Sequence, residues 1–142
     1  MKNSSEIFVQ NRQRQLAVDP RALEHFARRA LPLALREKGR GLERLPEIHV
    51  LLVSDRRISL LHRRFMQVAG PTDVITFQHG EIFLSVETAG RAAAGHRNSP
   101  RDEIRLYLVH GLLHLHGFDD RAPAARERMH ATQERLVAVA GG

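Results

Sequence analysis

The chain contains no cysteine and no tryptophan, and aromatic residues make up only 5% of its 142 positions. Without thiols there is neither a disulfide framework nor thiolate chemistry, so any bound metal must take nitrogen and oxygen ligands. No apolar run approaches the roughly 20 residues that a membrane-crossing helix requires. The opening Met1-Lys2-Asn3-Ser4-Ser5-Glu6 leads into an apolar stretch too brief for a secretory leader. These absences set the expectation of a cytoplasmic protein with no membrane partner. The shortage of aromatics also leaves few platforms on which nucleobases could stack.

What is present is basic and ordinary in its apolar content. The chain has 42% hydrophobic and 27% charged residues, a net charge of +6, and nearly all of its 22 cationic side chains are arginine. Such composition suits a folded globule, read here as one domain over residues 1–142. The positive excess points to a polyanionic partner such as RNA. Arg56, Arg57, Arg63 and Arg64 fall together on one predicted helix, and Arg97 and Arg101 precede another.

Reading along the chain gives the order β, α, β, α, β, β, α, α, α. Ile7-Phe8-Val9, continuing to Asn11, reads as a strand. Asp19-Pro20 opens a helix with a capping carboxylate and a proline at its first position. Leu23, Phe26, Ala27, Ala30 and Leu31 keep helical spacing, Pro32 is expected to kink or end the helix, and Gly39-Arg40-Gly41 closes the segment. Glu47 to Val53 reads as a strand buried on both faces. Ser54 or Asp55 caps a helix to Met66, with Ile58, Leu61 and Phe65 as its apolar line. Val74 to Phe77 and Ile82 to Val86 read as strands joined by a turn at His79-Gly80, and a short helix follows from Glu87 to Ala94. Ser99-Pro100 opens a further helix with the stripe Ile104, Leu108, Leu112 and Leu115, and Gly117 stops it. A last helix runs from Ala122 to Ala138, anchored by Met129, Leu136 and Val139. Strands early and helices late imply an α+β fold, with a small mixed sheet of about four strands packed by about five helices.

The segment His110-Gly111-Leu112-Leu113-His114-Leu115-His116-Gly117-Phe118-Asp119-Asp120 carries the chemistry. Helical positions i and i+4 lie about 40° apart on one face, so the imidazoles of His110 and His114 can converge on one point. A carboxylate returning past Gly117 closes the third side, giving two nitrogens and one oxygen for Zn²⁺ or a similar divalent ion. Spacing alone leaves Asp119 and Asp120 open as the third ligand. His116 lies about 200° around the helix from His114 and faces away from any ion the other two share. Zinc peptidases of the His-Glu-x-x-His type place a general-base glutamate where this chain has Gly111, which weighs against peptidase chemistry.

The run from His110 to Asp119 resembles the signature of the YbeY family of bacterial rRNA-maturation endoribonucleases, His-Gly-x-Leu-His-Leu-x-Gly-(Tyr/Phe)-Asp-His. Pro71-Thr72-Asp73-Val74-Ile75-Thr76-Phe77 and Gly80-Glu81-Ile82-Phe83-Leu84-Ser85 are similar to two further family segments. The resemblance spans roughly Leu60 to Leu136. It implies a metal-dependent endoribonuclease specific for single-stranded RNA, acting at the 16S rRNA 3′ end and in ribosome quality control, with the small ribosomal subunit as partner. His110 and His114 would then be catalytic and metal-binding. The family's third histidine falls at Asp120, which makes the set His110, His114 and Asp120 around one Zn²⁺ or another divalent transition metal. A family arginine that is thought to face the cleft falls at Met66. Arg63, one turn earlier on about the same face, is the expected replacement and a catalytic candidate. Arg56, Arg63, Arg64 and Arg97 are the expected RNA contacts, and Thr72, Asp73 and Ser85 are candidates to line the cleft or to cap turns.

Other functions fit less well. A non-catalytic ribosome assembly factor with a structural metal is the main alternative. An Fe(II) oxygenase also uses two histidines and a carboxylate, but this chain has too few strands for the usual β-barrel scaffold.

Overall fold

A computed structural model of the chain describes residues 5–142. Among them are four strands, β1 (Glu6–Asn11), β2 (Glu47–Val53), β3 (Val74–Phe77) and β4 (Glu81–Ser85), and five α-helices. The helices are α1 (Pro20–Leu35), α2 (Asp55–Met66), α3 (Val86–Gly95), α4 (Pro100–Leu115) and α5 (Pro123–Gly141), with a short 3-10 turn at Leu42–Arg44. The sheet order is β1-β2-β4-β3. β2 pairs in parallel with both β1 and β4, and β3 returns antiparallel to β4. The α+β class and the mixed sheet match the expectation, including the hairpin between β3 and β4.

Alternation along the central strands decides which layer each residue joins. Val50, Leu52, Ile82 and Leu84 point into the larger core with Phe26, Leu108, Leu112 and Leu136. Their neighbours Leu51 and Val53 point the other way and meet Ile58 of α2 and Ile75 of β3. β2 is therefore buried on both faces. The larger core is closed by α1, α4 and α5, while α2 covers the opposite side.

Several local expectations are corrected. Pro32 does not end α1, which continues to Leu35. Its missing amide would have bonded the carbonyl of Arg28, and both residues are exposed, so that carbonyl stays hydrated while buried Leu31 and Ala34 hold the last turn in place. Val86 is the first residue of α3 rather than the end of a strand, because the Ser85 hydroxyl accepts the Thr88 N–H and caps the helix. Of the α2 stripe only Ile58 is fully buried. Phe65 is 53% exposed and meets Phe77 edge-on at 5.2 Å. Val139 is 60% exposed and anchors nothing. The buried face of α5 runs through Met129, Gln133, Leu136 and Ala140, and Val139 sits about 80° off that line.

Candidate metal centre and its flanking grooves

The centre is built at the C-terminal end of α4. Ser99 caps the start of this helix through the Asp102 N–H, and Ile104, Leu108 and Leu112 seat it in the larger core. Gly111 faces the sheet, where a Cβ would fall within 2.6 Å of Ile82 Cγ2. No longer side chain fits there, so a peptidase-type glutamate after His110 is ruled out by packing. His110 and His114, one turn apart, share the remaining face.

After Leu115 the chain reverses through Gly117 at φ 92°. The Phe118 N–H reaches back to the Leu113 carbonyl at 2.9 Å, and the Gly117 N–H to the His114 carbonyl at 3.1 Å. This paired ending satisfies carbonyls the helix would leave open, and it requires the left-handed glycine. The reversal brings Asp120 back beside the imidazoles. Asp120 Oδ2 lies 3.7 Å from His110 Nε2 and 3.5 Å from His114 Nε2, and the two Nε2 atoms are 3.0 Å apart.

The hydrogen bonds fix which ring nitrogens carry protons. His114 Nδ1 lies 3.1 Å from the Phe118 carbonyl oxygen, which can only accept, so the Nδ1–H donates. His110 Nδ1 donates in the same way to Gln133 Oε1 at 2.9 Å. Both Nε2 lone pairs are therefore left facing each other and the carboxylate. Neutral imidazoles in that pose repel unless a cation lies between them. A tetrahedral ion with bonds of about 2.0–2.2 Å separates its ligand atoms by about 3.3–3.6 Å, close to the three separations observed. Burial lowers the His110 pKa, the bond to Gln133 opposes that shift, and His114 reinforces it. The shift is in the direction that favours the unprotonated ring, the form able to bind a metal. His110, His114 and Asp120 form a group able to hold a metal ion, with all donor atoms within 4.8 Å of one another.

Asp119 turns away. Its Oδ1 accepts the Arg121 N–H at 2.9 Å. His116 is 2% exposed and also turns away, toward the segment before β2. Its Nε2–H donates to the Glu37 carbonyl at 3.0 Å, and its Nδ1 accepts the Leu42 N–H at 3.4 Å. Asp73 lines a groove with His110, whereas Ser85 is fully buried as a helix cap and Thr72 bonds its neighbour Asp73. Arg56, Arg63 and Arg64 are exposed on α2, and Arg97 is exposed between α3 and α4. None of the four lines either groove beside the histidines.

Gln133 is the functional residue that sequence reading missed. Its signal was present: a lone amide on the otherwise apolar spacing Met129, Leu136, Ala140. A buried polar group on a helix stripe needs a partner, and here the partner is the imidazole of His110.

The sequence profile described as endoribonuclease YbeY matches residues 8–141. The endoribonuclease YbeY of Gluconobacter oxydans is 35% identical over 124 residues, covering 83% of this chain and 74% of its own. That of Symbiobacterium thermophilum is 31% identical over 153 residues, covering 96% of this chain and 97% of its own. The solution structure of a Thermotoga maritima protein shares the fold, with a TM-score of 0.65 at 24% identity over 94% of this chain and 88% of that one. The match takes in the histidine helix, its glycine reversal and the returning aspartate, and on that ground the chain belongs to the endoribonuclease YbeY family and is an endoribonuclease.

Proposed function

We propose that this endoribonuclease cuts single-stranded RNA with one divalent ion, Zn²⁺ by the nature of its donors, in maturation of the 16S rRNA 3′ end and in ribosome quality control. The observation that carries the metal-dependent reading is the pair of unprotonated Nε2 atoms turned toward each other and toward Asp120. Two imidazoles and one carboxylate fit a tetrahedral cation with a fourth position open to solvent or substrate. A divalent ion there supplies Lewis acidity, drawing charge from a phosphoryl oxygen and acidifying a water molecule.

The chain's own residues supply the rest. His110, His114 and Asp120 hold the ion, and Gln133 and the Phe118 carbonyl lock the two rings in the required tautomer. Aspartate in place of a third histidine lowers the charge of the ligand set by one unit and makes the bound ion a slightly weaker Lewis acid. The histidines open onto grooves at the surface, which gives an unpaired strand access to the site. Exposed Arg56, Arg63, Arg64 and Arg97 are proposed contacts for phosphates farther along the strand, Arg63 in place of the family arginine lost at Met66. The proposed setting is the cytoplasm, on the small ribosomal subunit. Among the described residues no helix is long and apolar enough to cross a membrane.

The test is cleavage of unstructured RNA by purified protein, with chelator and then with added Zn²⁺. Cleavage that stops with chelator, returns with zinc and is absent from His114→Ala supports the proposal. Zinc-loaded protein that cuts no RNA overturns it. If His114→Ala then lowers the melting temperature and small-subunit binding together, the ion is structural and the protein an assembly factor.

A further inference from the structure

The groove beside His114, about 600 Å³ in volume, is lined by Arg40 and Arg44 together with Thr76 and Gln78. The two arginines lie in the segment between α1 and β2, far from the metal ligands in sequence. Three features hold them beside α4. The Arg40 N–H donates to the His116 carbonyl at 2.9 Å. Gly39 and Gly41 are pressed onto the carbonyls of His116 and Leu115, where a Cβ at either position would overlap the helix backbone. Leu42 is completely buried and gives its N–H to the His116 ring. The arginine-bearing loop is thus mounted on the same helical turn that presents His114.

The guanidinium groups themselves are available. Both residues are exposed, and among the described residues the Arg40 side chain has no hydrogen-bond or ion-pair partner. Arg44 has only the neighbouring Glu43, at 3.7 Å. The other oxygen of that carboxylate, Oε1, accepts the Gly41 N–H at 2.8 Å, a bond that lowers the Glu43 pKa. No carboxylate lines this groove. The groove on the other side, beside His110, is about 520 Å³ and carries Asp73, Glu103 and Glu134. A polyphosphate backbone is attracted to the first and repelled by the second.

We infer that Arg40 and Arg44 bind the RNA phosphates flanking the scissile bond, and that the backbone runs from the metal centre along the His114 groove rather than the His110 groove. This rests on the proposed RNA cleavage and specifies which cations serve it. Guanidinium groups suit the role because they remain charged and present paired N–H donors to phosphate oxygens.

The experiment measures binding of a short fluorescein-labelled oligouridylate in EDTA, so that nothing is cut, across roughly 50 to 200 mM salt. Single-strand contacts contribute about 0.7 each to the slope of log affinity against log salt. Arg40→Ala/Arg44→Ala is expected to lower the slope by about 1.4 and to weaken binding at low salt. Arg40→Lys/Arg44→Lys should restore most of that slope. Arg21→Ala/Arg28→Ala, the same charge removed from the exposed face of α1, should leave it unchanged. A double alanine variant that keeps the wild-type slope overturns the inference, and if wild type cleaves RNA with zinc, the proposed function survives that failure. Equal slope losses in the α1 variant overturn the inference too, since net charge alone would explain them. Wild type that neither binds nor cuts the RNA removes both readings together.

Discussion

The two grooves that meet at His110 and His114 are similar in size and opposite in chemistry. The one beside His114 carries two arginines and no carboxylate, whereas the one beside His110 carries three carboxylates, two further histidines and the half-buried Tyr107. Burial raises the pKa of the Tyr107 hydroxyl, and Asp73 and Glu103 add to the effect. That groove offers hydrogen-bonding groups and carboxylates, and no arginine or lysine lines it. The contrast shows that net charge is a poor guide to how charge is distributed around the histidines. Most arginines of this chain lie elsewhere, and two on a glycine-clamped loop are the ones that line the groove beside His114.

The centre shared by both grooves gives the largest expected effect. His114→Ala should bring zinc-dependent RNA cleavage down to background, measured on a labelled single strand. Next comes metal content by mass spectrometry. Asp120→Ala should lose the ion that wild type retains, while Asp119→Ala should keep it, because Asp119 is committed to the Arg121 amide. Equal metal in both variants would remove Asp120 from the site. Gln133→Leu should weaken zinc affinity by about 10–100-fold, the usual cost of losing the hydrogen bond behind a metal-binding histidine. In the His110 groove, Glu134→Gln should leave the salt slope of RNA binding unchanged and alter affinity by less than about twofold, since exposed charges are largely screened. A slope change there would mean that the strand uses both grooves.

The smallest effect on RNA, and none on the slope, is expected away from the grooves at Asp55. Its carboxylate accepts from Ser85 Oγ at 2.6 Å, Thr88 Oγ1 at 2.8 Å and Arg91 Nη1 at 2.6 Å, tying α2 to α3. Burial pushes the Asp55 pKa up, but these bonds outweigh it and hold the group below its ordinary range. The folded state therefore binds its proton less readily than the unfolded chain. The stabilisation is complete above the unfolded value of about 3.9 and is lost as pH falls through the lower folded value. Asp55→Asn should cost about 1.5–3 kcal/mol at neutral pH, the range for hydrogen bonds to a charged group. In denaturant titrations the gap from wild type should shrink below about pH 4.

The metal centre was more legible in the sequence than the surface that serves it. Two histidines a helical turn apart and a glycine stop are local features, and local geometry alone turns His110 and His114 together and His116 away. The strands were legible for the same reason: the run of β-branched and aliphatic residues from Glu47 to Val53 marks a strand buried on both faces. Gln133 was harder, because its meaning depends on α5 packing against α4. Arg40 was read only as part of the closing Gly39-Arg40-Gly41 segment, and Arg44 was not singled out at all. Their place beside His114 follows from contacts across more than seventy residues of chain, between the Gly39–Gly41 backbone and the end of α4. Val139 failed for a smaller reason. Counting apolar residues put it on the stripe that Gln133 in fact completes.

The Gly-Arg-Gly clamp also bears on how this protein can change over time. Its glycines sit on helix backbone and admit no side chain, so substitution there would lift the whole loop. The arginine between them faces solvent and meets no such restriction. Sequence drift can therefore change the charge of the His114 groove at one position while the backbone that seats the loop on the histidine helix stays in place.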